Sequence, residues 1–139
     1  MNLKFLLWLF ALTILASCEN PSNSPLKKSL VLGKPIYLQY QDTLFIESEN
    51  TWVSFDSLLE DSRCPIGLLC VWAGNAKIGF FFEKDESKVE FSLDSHKALK
   101  NDTTIWGYSI SLLSVLPYPH RDSSYLPSDY SAEILVTKQ

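Results

Sequence analysis

The sequence has few of the residues that carry most catalytic and metal chemistry, with only two histidines and three cysteines among 139 residues. His96 and His120 lie far apart and in no ligand spacing, whereas zinc sites need clustered ligands, commonly paired as C-x2-C. The nucleophile motif G-x-S-x-G is absent, and the acidic residues of the turns lack the alternating spacing of a calcium loop. We therefore predict no metal, no cofactor and no catalytic residue.

Basic residues are also few, since 12 lysines and arginines stand against 16 aspartates and glutamates, a formal net charge of −4. The basic residues form no cluster, and a domain without a basic patch is a poor candidate for nucleic-acid binding. An acidic domain gains nothing electrostatically from an anionic bilayer, so any membrane attachment must come from an apolar group. The charge pattern predicts no nucleic-acid partner.

No apolar run is long enough to span a bilayer, which takes about 20 residues. The longest, residues 5–16, follows Lys4 and has the length of the apolar part of a secretory signal peptide. It ends in Leu15-Ala16-Ser17-Cys18, which resembles the lipobox of bacterial lipoproteins. The resemblance implies that residues 1–17 are a signal peptide and that Cys18 carries the lipid, palmitate included. The alternative is an ordinary signal peptide that happens to end in cysteine.

Residues 18–29 comprise this cysteine and a polar, proline-containing segment without apolar periodicity, which predicts a flexible tether to a β domain at 30–139. Removing residues 1–17 leaves 122 residues (139 − 17), a size that suits one domain. We expect that domain in the cell envelope, held at a membrane, the outer membrane in our interpretation, by the N-terminal lipid. The domain would then lie in the periplasm or at the cell surface.

The remainder of the chain alternates short β-branched or apolar runs with polar turns, and we consider only one helical turn, at 57–61. The runs predict strands at 35–40, 43–47, 51–59, 70–83, 88–93, 104–116 and 132–138. Alternation slips at Leu112-Leu113, which indicates a β-bulge. Phe81 should point away from Phe80 and Phe82, because side chains alternate along a strand. We predict an all-β single domain, an antiparallel β-sandwich or a partly open barrel.

Cys64 and Cys70 are the two cysteines that remain once Cys18 is lipidated. An even number of thiols in an exported domain favours a disulfide. Arg63 could lower a neighbouring thiol pKa, but no histidine lies nearby in sequence to act as a base. We therefore favour a covalent crosslink over a metal site or a reactive thiol.

The segment around this pair resembles a motif of small lipoproteins from Bacteroidetes-type bacteria, Asp-Ser-Arg-Cys-Pro, four residues, then Cys-Val-Trp-x-Gly-x-Ala. This chain matches it at Asp61, Ser62, Arg63, Cys64, Pro65, Cys70, Val71, Trp72, Gly74 and Ala76. Beyond residues 61–76, only 108–119 and the last strand look similar. That family has no assigned activity, so the resemblance implies an exported β domain and nothing about chemistry.

The same segment yields mechanical expectations. If 70–82 is a strand, then Cys70, Trp72 and Gly74 share one face, with the indole covering the disulfide and Gly74 leaving room for a neighbouring backbone or ring. Pro65 and Gly67 should help to bend the ring. We expect Arg63 to bond Asp61, Asp56 or loop carbonyls, and the alternative is an arginine presented to an anionic ligand.

Residues 116–130 form a proline- and tyrosine-rich loop. Its prolines limit conformational freedom, and its tyrosines offer aromatic faces with hydroxyl tips, a composition suited to recognition. The candidate binding residues are Tyr118, His120, Arg121, Tyr125 and Tyr130. His120 and Asp122 could form a weak acid–base pair. The alternative is a loop that folds back and caps one end of the sheet.

Two hypotheses of function follow. The preferred one is a non-enzymatic, lipid-anchored binding or assembly module that uses the cysteine ring and the 116–130 loop to contact an envelope protein or a glycan. A narrower version makes the ring a protease-inhibitor-like loop that offers Leu68 and Leu69 outward. The alternative is a small hydrolase or sugar-processing enzyme that uses carboxylates such as Asp56 and Asp61.

Overall fold

A computed structural model describes residues 28–47 and 49–139. The strands are β1 (Ile36–Gln39), β2 (Thr43–Ile46), β3 (Thr51–Asp61), β4 (Ala76–Lys84), β5 (Ser87–Asp94), β6 (Asp102–Ile105), β7 (Tyr108–Leu116) and β8 (Ser131–Lys138). A short 3-10 helix at Pro127–Asp129 precedes β8. The predicted signal peptide, Cys18 and most of the tether lie outside the described residues. Within the described part of the chain, no helix has the length and apolarity of a membrane span.

The strands form two four-stranded antiparallel sheets, with the orders β1-β8-β7-β6 and β2-β3-β4-β5. The two sheets do not close on each other as a barrel, so the predicted all-β fold is confirmed as an antiparallel β-sandwich. The apolar faces of both sheets supply one buried core. Burying these faces against each other removes from water the apolar surface that neither sheet could bury alone.

Strand periodicity decides which side chains enter the core. On β4, Phe80 and Phe82 are fully buried, whereas Phe81 points outward, where the Lys88 ammonium lies 3.7 Å from the centre of its ring. This confirms the predicted alternation. On β3, Val53 and Phe55 are likewise fully buried, and Phe55 contacts Phe80 across the strand pair with ring centres 5.9 Å apart.

Two irregularities test the sequence-based boundaries. The pairing of β7 with β8 shifts between Leu112 and Ser114, which confirms the predicted bulge. The helical turn considered at 57–61 is wrong, because β3 continues to Asp61 and pairs with β4 there. That pairing shifts register between Phe55 and Ser57 and again between Leu58 and Glu60. These bulges interrupt the strand alternation, so the sequence pattern at the end of β3 does not resemble that of a strand.

Two predicted strands also need correction. The predicted strand 104–116 is two strands, because a tight turn at Trp106 and Gly107 separates β6 from β7. The predicted strand 70–83 begins only at Ala76, and residues 70–75 belong to the connection before it.

The connections divide between two ends of the sandwich. The β3–β4 connection (62–75) and the β7–β8 connection (117–130) meet at one end, where Ile66 and His120 form an isolated β-bridge. The tight turns β4–β5 (Asp85, Glu86) and β6–β7 (Trp106, Gly107) lie at the other end. The long, irregular connections thus share one end. Loops held by a rigid scaffold carry binding residues more often than the strands do, so this end is the candidate functional site.

Candidate functional site

The β3–β4 connection is an elaborated hairpin loop, which we call the disulfide tip (residues 62–75). Its base continues the strand ladder: the Ser62 amide donates to the Asn75 carbonyl at 2.7 Å, and the Cys64 amide donates to the Ala73 carbonyl at 2.8 Å. Beyond that base, Cys64 and Cys70 are joined by a disulfide, with Cα atoms 5.9 Å apart. The predicted crosslink is therefore confirmed. It closes a seven-residue ring at the outermost part of the loop.

A tight turn shapes the ring. The Leu68 amide donates to the Pro65 carbonyl at 3.1 Å, and Gly67 has a φ of +91°. A positive φ at the third position of such a turn is the signature of a type II turn, which glycine adopts without steric cost. Pro65 and Gly67 therefore bend the ring, as the sequence predicted for both.

Gly74 ends the tip with a close approach between two segments of backbone. It has a φ of +72°, and a Cβ at this position would overlap the carbonyl group of Ser62. The expectation that Gly74 leaves room for a neighbouring backbone is confirmed, although its neighbour is Ser62 and not a ring.

The predicted position of Trp72 is wrong. Because residues 70–75 are not a strand, Cys70, Trp72 and Gly74 do not share a strand face, and Trp72 is 74% exposed where an indole packed over the disulfide was predicted. Leu69 and Val71 are exposed almost completely, at 105% and 94%. The tip therefore presents its largest apolar side chains to solvent.

Arg63 locks the base of the tip from inside. Its guanidinium is buried and forms a bidentate pair with Asp61, with Nε to Oδ1 at 2.8 Å and Nη2 to Oδ2 at 2.7 Å. The same group donates to the Val115 carbonyl at 2.6 Å and to the Pro117 carbonyl at 2.8 Å. These bonds match the predicted lock to Asp61 and loop carbonyls. They engage all three guanidinium nitrogens, which argues against the alternative of an arginine presented to an anionic ligand.

Asp61 completes this buried cluster. Its Oδ2 also accepts a hydrogen bond from the Tyr130 hydroxyl at 2.9 Å. Burial acts to raise the pKa of Asp61, but the hydrogen bonds and charge of Arg63, together with the Tyr130 hydroxyl, hold it below its usual value. Burial and the bond to Asp61 raise the pKa of Tyr130 to about 12. Both carboxylate oxygens of Asp61 are thus used as structural acceptors.

The β7–β8 connection packs against the tip and braces it. The Ile66 amide donates to the Pro119 carbonyl at 2.9 Å, and the Arg121 amide donates to the Ile66 carbonyl at 3.1 Å. Above the lock, the Tyr118 ring lies 4.9 Å from the guanidinium carbon of Arg63. This loop therefore caps the end of the sandwich, in agreement with the capping alternative, and it holds the ring in one position.

The predicted binding residues of this loop separate into two groups. Tyr118, His120 and Arg121 are exposed, while Tyr125 is half-buried and Tyr130 is buried against it at 6.4 Å between ring centres. Asp122 forms an ion pair with Arg121, with 3.4 Å between Nε and Oδ1. It does not form the predicted pair with His120. Only the exposed group can contact a partner directly.

Asn75 is a structural residue that the sequence reading missed. Its side-chain amide donates to Asp94 at 2.6 Å, and its Oδ1 accepts from the His96 amide at 3.1 Å. These bonds fix the β5–β6 connection to the end of the tip. The signal available in the sequence was a lone polar residue between Gly74 and the first buried residue of β4.

Most of the exposed large hydrophobic residues in the described chain gather at this end of the sandwich. They are Leu59, Ile66, Leu68, Leu69, Val71, Trp72, Leu116, Tyr118 and Leu126, and we call them the apolar crown. Exposed apolar side chains scattered over a surface are ordinary, whereas a group of them at one end of a domain favours an interaction surface. Leu68 and Leu69 are both directed outward, as the narrower inhibitor-like hypothesis required.

The chain matches no protein-family model, no curated protein and no solved structure. The described residues contain no group of three or more histidine, cysteine or acidic side chains placed to hold a metal ion. The site is a braced, crosslinked loop with an apolar outer surface.

Breaking the crosslink should loosen the tip without unfolding the sandwich. We expect the Cys64→Ser/Cys70→Ser double variant to lose about 2 kcal/mol of unfolding free energy, because a small ring constrains the unfolded chain only modestly. Urea denaturation of the two proteins measures the difference. In the wild type without reductant, neither thiol should react with iodoacetamide; alkylation of both in the native material contradicts the crosslink.

Because of the Asp61–Tyr130 contact, we expect the free energy of unfolding to be greatest between the pH at which Asp61 titrates and the pH at which Tyr130 titrates. The folded pKa of Asp61 is depressed, so its contribution is present above pH of about 4 and is lost as the pH falls further. The folded pKa of Tyr130 is raised, so its contribution is complete below pH 10 and is lost as the pH rises toward about 12. Urea midpoints across pH measure both limbs. The Tyr130→Phe variant should show a shallower alkaline loss, and an unchanged slope contradicts the assignment.

Proposed function

We propose that this protein is a non-enzymatic, lipid-anchored binding domain of the bacterial cell envelope, and that the disulfide tip is its contact surface. One observation carries the proposal: the apolar crown is exposed on a loop that is held by a disulfide, a buried arginine and a second loop. A folded domain gains nothing by fixing apolar side chains in solvent. Their exposure is explained if a partner covers them.

Rigidity supports this reading in energetic terms. Association costs the freedom of every side chain and loop that must be ordered, so a loop ordered in advance loses less on binding. The hydrogen bonds of Ile66 to the neighbouring loop and the Cys64–Cys70 crosslink order the disulfide tip during folding, so less ordering is required on binding. Tryptophan, exposed here at Trp72, is among the residue types that most often act as buried anchors in protein interfaces. We therefore propose a protein partner with an apolar pocket.

The position of the tether suits such a partner. The first described residue, Lys28, lies beside Phe45 on β2, and Phe45 pairs with Trp52 near the start of β3. From Trp52 to Asp61 the strand covers about 30 Å, so the tether joins the sandwich far from the disulfide tip. In the proposal, lipid at Cys18 holds the domain at the outer membrane while the tip remains free to meet an envelope protein.

Site-specific photocrosslinking tests the proposal in living cells. A photoreactive residue at Leu69 in the full-length protein should give one discrete protein adduct, and the same residue at Leu113, an exposed position on β7, should not. Without a discrete Leu69 adduct, or with the same adduct from Leu113, the tip is not the contact surface. Separately, radiolabelled palmitate should be incorporated by the wild type and not by Cys18→Ala; equal incorporation removes the lipid anchor from the proposal.

The crosslinked ring offers a second test within the same assay. The Cys64→Ser/Cys70→Ser variant keeps every residue of the apolar crown and loses only the covalent constraint. Because ordering the loop would then accompany binding, the Leu69 adduct should become several-fold weaker. An adduct of undiminished yield means that the ring is not needed for recognition.

A further inference from the structure

We propose a second binding site, at the end of the sandwich opposite the disulfide tip, that takes a pyranose sugar. A cavity of about 290 Å³ opens there and is lined by Lys84, Asp85, Ser87 and Trp106. Its residues come from the two tight turns of that end, one from each sheet. The volume lies near the lower limit for sites of small ligands, which suits one sugar ring better than a larger molecule.

Trp106 provides a flat apolar surface in this cavity. Its indole is 42% exposed and is supported by Phe82, with ring centres 5.9 Å apart and planes at 33°. Trp106 has a φ of +49° and is followed by Gly107 at +79°, a pair of positive φ values that identifies a type I′ hairpin turn. Asparagine, aspartate and glycine are favoured at its first position, and a bulky residue is strained there. The conformation of the turn therefore does not account for a tryptophan at this position. A role as a supported aromatic surface beside the cavity does account for it.

The other three residues supply polar groups around that surface. Lys84 brings an ammonium donor, held 5.3 Å from the Tyr108 ring centre, while Asp85 brings a carboxylate acceptor and Ser87 a hydroxyl that does both. A pyranose ring offers an apolar C–H face to lie on an indole, and the hydroxyls at its edge need both donors and acceptors. The carboxylate of Asp85, with Glu86 next to it in the turn, disfavours polyanionic ligands such as nucleotides.

Calorimetric titration of the full-length protein in detergent tests this site. The probes are the methyl glycosides of glucose, galactose, mannose and N-acetylglucosamine, added separately. We expect saturable binding of at least one, reduced tenfold or more in Trp106→Asn, a residue that suits the type I′ turn and so should leave the domain folded. Tyr37→Asn, which removes an equally exposed aromatic side chain from β1, outside both proposed contact sites, should bind like the wild type.

The outcomes separate clearly. If no glycoside binds, or if Trp106→Asn binds as well as the wild type, the sugar site is wrong. Should the Trp106 variant melt well below the wild type, Ser87→Ala and Lys84→Ala replace it, and binding unaffected by both also overturns the proposal. Because the photocrosslinking experiment concerns the opposite end of the molecule, failure of either proposal leaves the other standing.

Discussion

Replacing Arg63 with alanine should lower the unfolding free energy by about 3–5 kcal/mol, the cost of removing one partner from a buried ion pair. The substitution leaves the Asp61 carboxylate without its guanidinium and the Val115 and Pro117 carbonyls without a donor. For a domain of this size, that loss should lower the melting temperature by more than about 10 °C. Thermal unfolding followed by circular dichroism measures it.

The matched control for this variant is Arg121→Ala, which removes an arginine from the same end of the molecule. Arg121 is exposed and pairs with its exposed neighbour Asp122, at 3.4 Å, so its removal should change stability by less than about 1 kcal/mol. Arg63→Lys should be nearly as damaging as alanine, since an ammonium cannot reproduce the bidentate pair and the two carbonyl bonds together. Equal melting temperatures for Arg63→Ala and Arg121→Ala contradict the lock.

Gly74→Ala should be the second severe substitution, with a loss of about 3 kcal/mol or more. Two costs combine at this position. Its φ of +72° lies in the left-handed region, where a side chain is strained, and a Cβ would also overlap the Ser62 carbonyl group. Since that carbonyl is backbone at the base of the disulfide tip, relief requires the two backbone segments of the base to separate.

Gly33→Ala separates the two costs. Gly33 has a φ of +78°, nearly the value at Gly74, but a Cβ there meets nothing within 4 Å. The control should therefore lose only about 1 kcal/mol, the cost of the left-handed backbone. Chemical denaturation of both variants gives the comparison. If Gly74→Ala and Gly33→Ala lose the same unfolding free energy, the close packing of Gly74 on Ser62 does not contribute to stability.

Strand alternation made most of the fold predictable from the sequence. The buried positions of Val53, Phe55, Phe80 and Phe82 follow from their period of two, and the slip at Leu112 marked its bulge in advance. The strand predictions failed where the backbone adopts a conformation that the local residue types do not favour. β6 and β7 are divided by a turn whose first residue is a tryptophan, a type that turn statistics do not favour.

The candidate site was predictable only in part. Cysteine parity and the predicted export indicated the Cys64–Cys70 crosslink, and the short separation of Asp61 and Arg63 indicated their pairing. Nothing local in the sequence revealed that Arg63 also reaches Val115 and Pro117, more than fifty residues away. The exposure of Trp72 was equally hidden, because a Val-Trp-Ala run after a cysteine reads as the start of a strand until the loop geometry is known.

The β-bridge between Ile66 and His120 has a mechanical consequence. Ile66 belongs to the connection of one sheet and His120 to that of the other, so a pull applied at the tip is shared by both sheets instead of peeling β3 from β4. In the proposed function, lipid at Cys18 holds one end of the domain and a partner binds the other, so the domain would carry tension whenever the two move apart. This bridge, with Arg63 beneath it, is where that load would enter the sandwich.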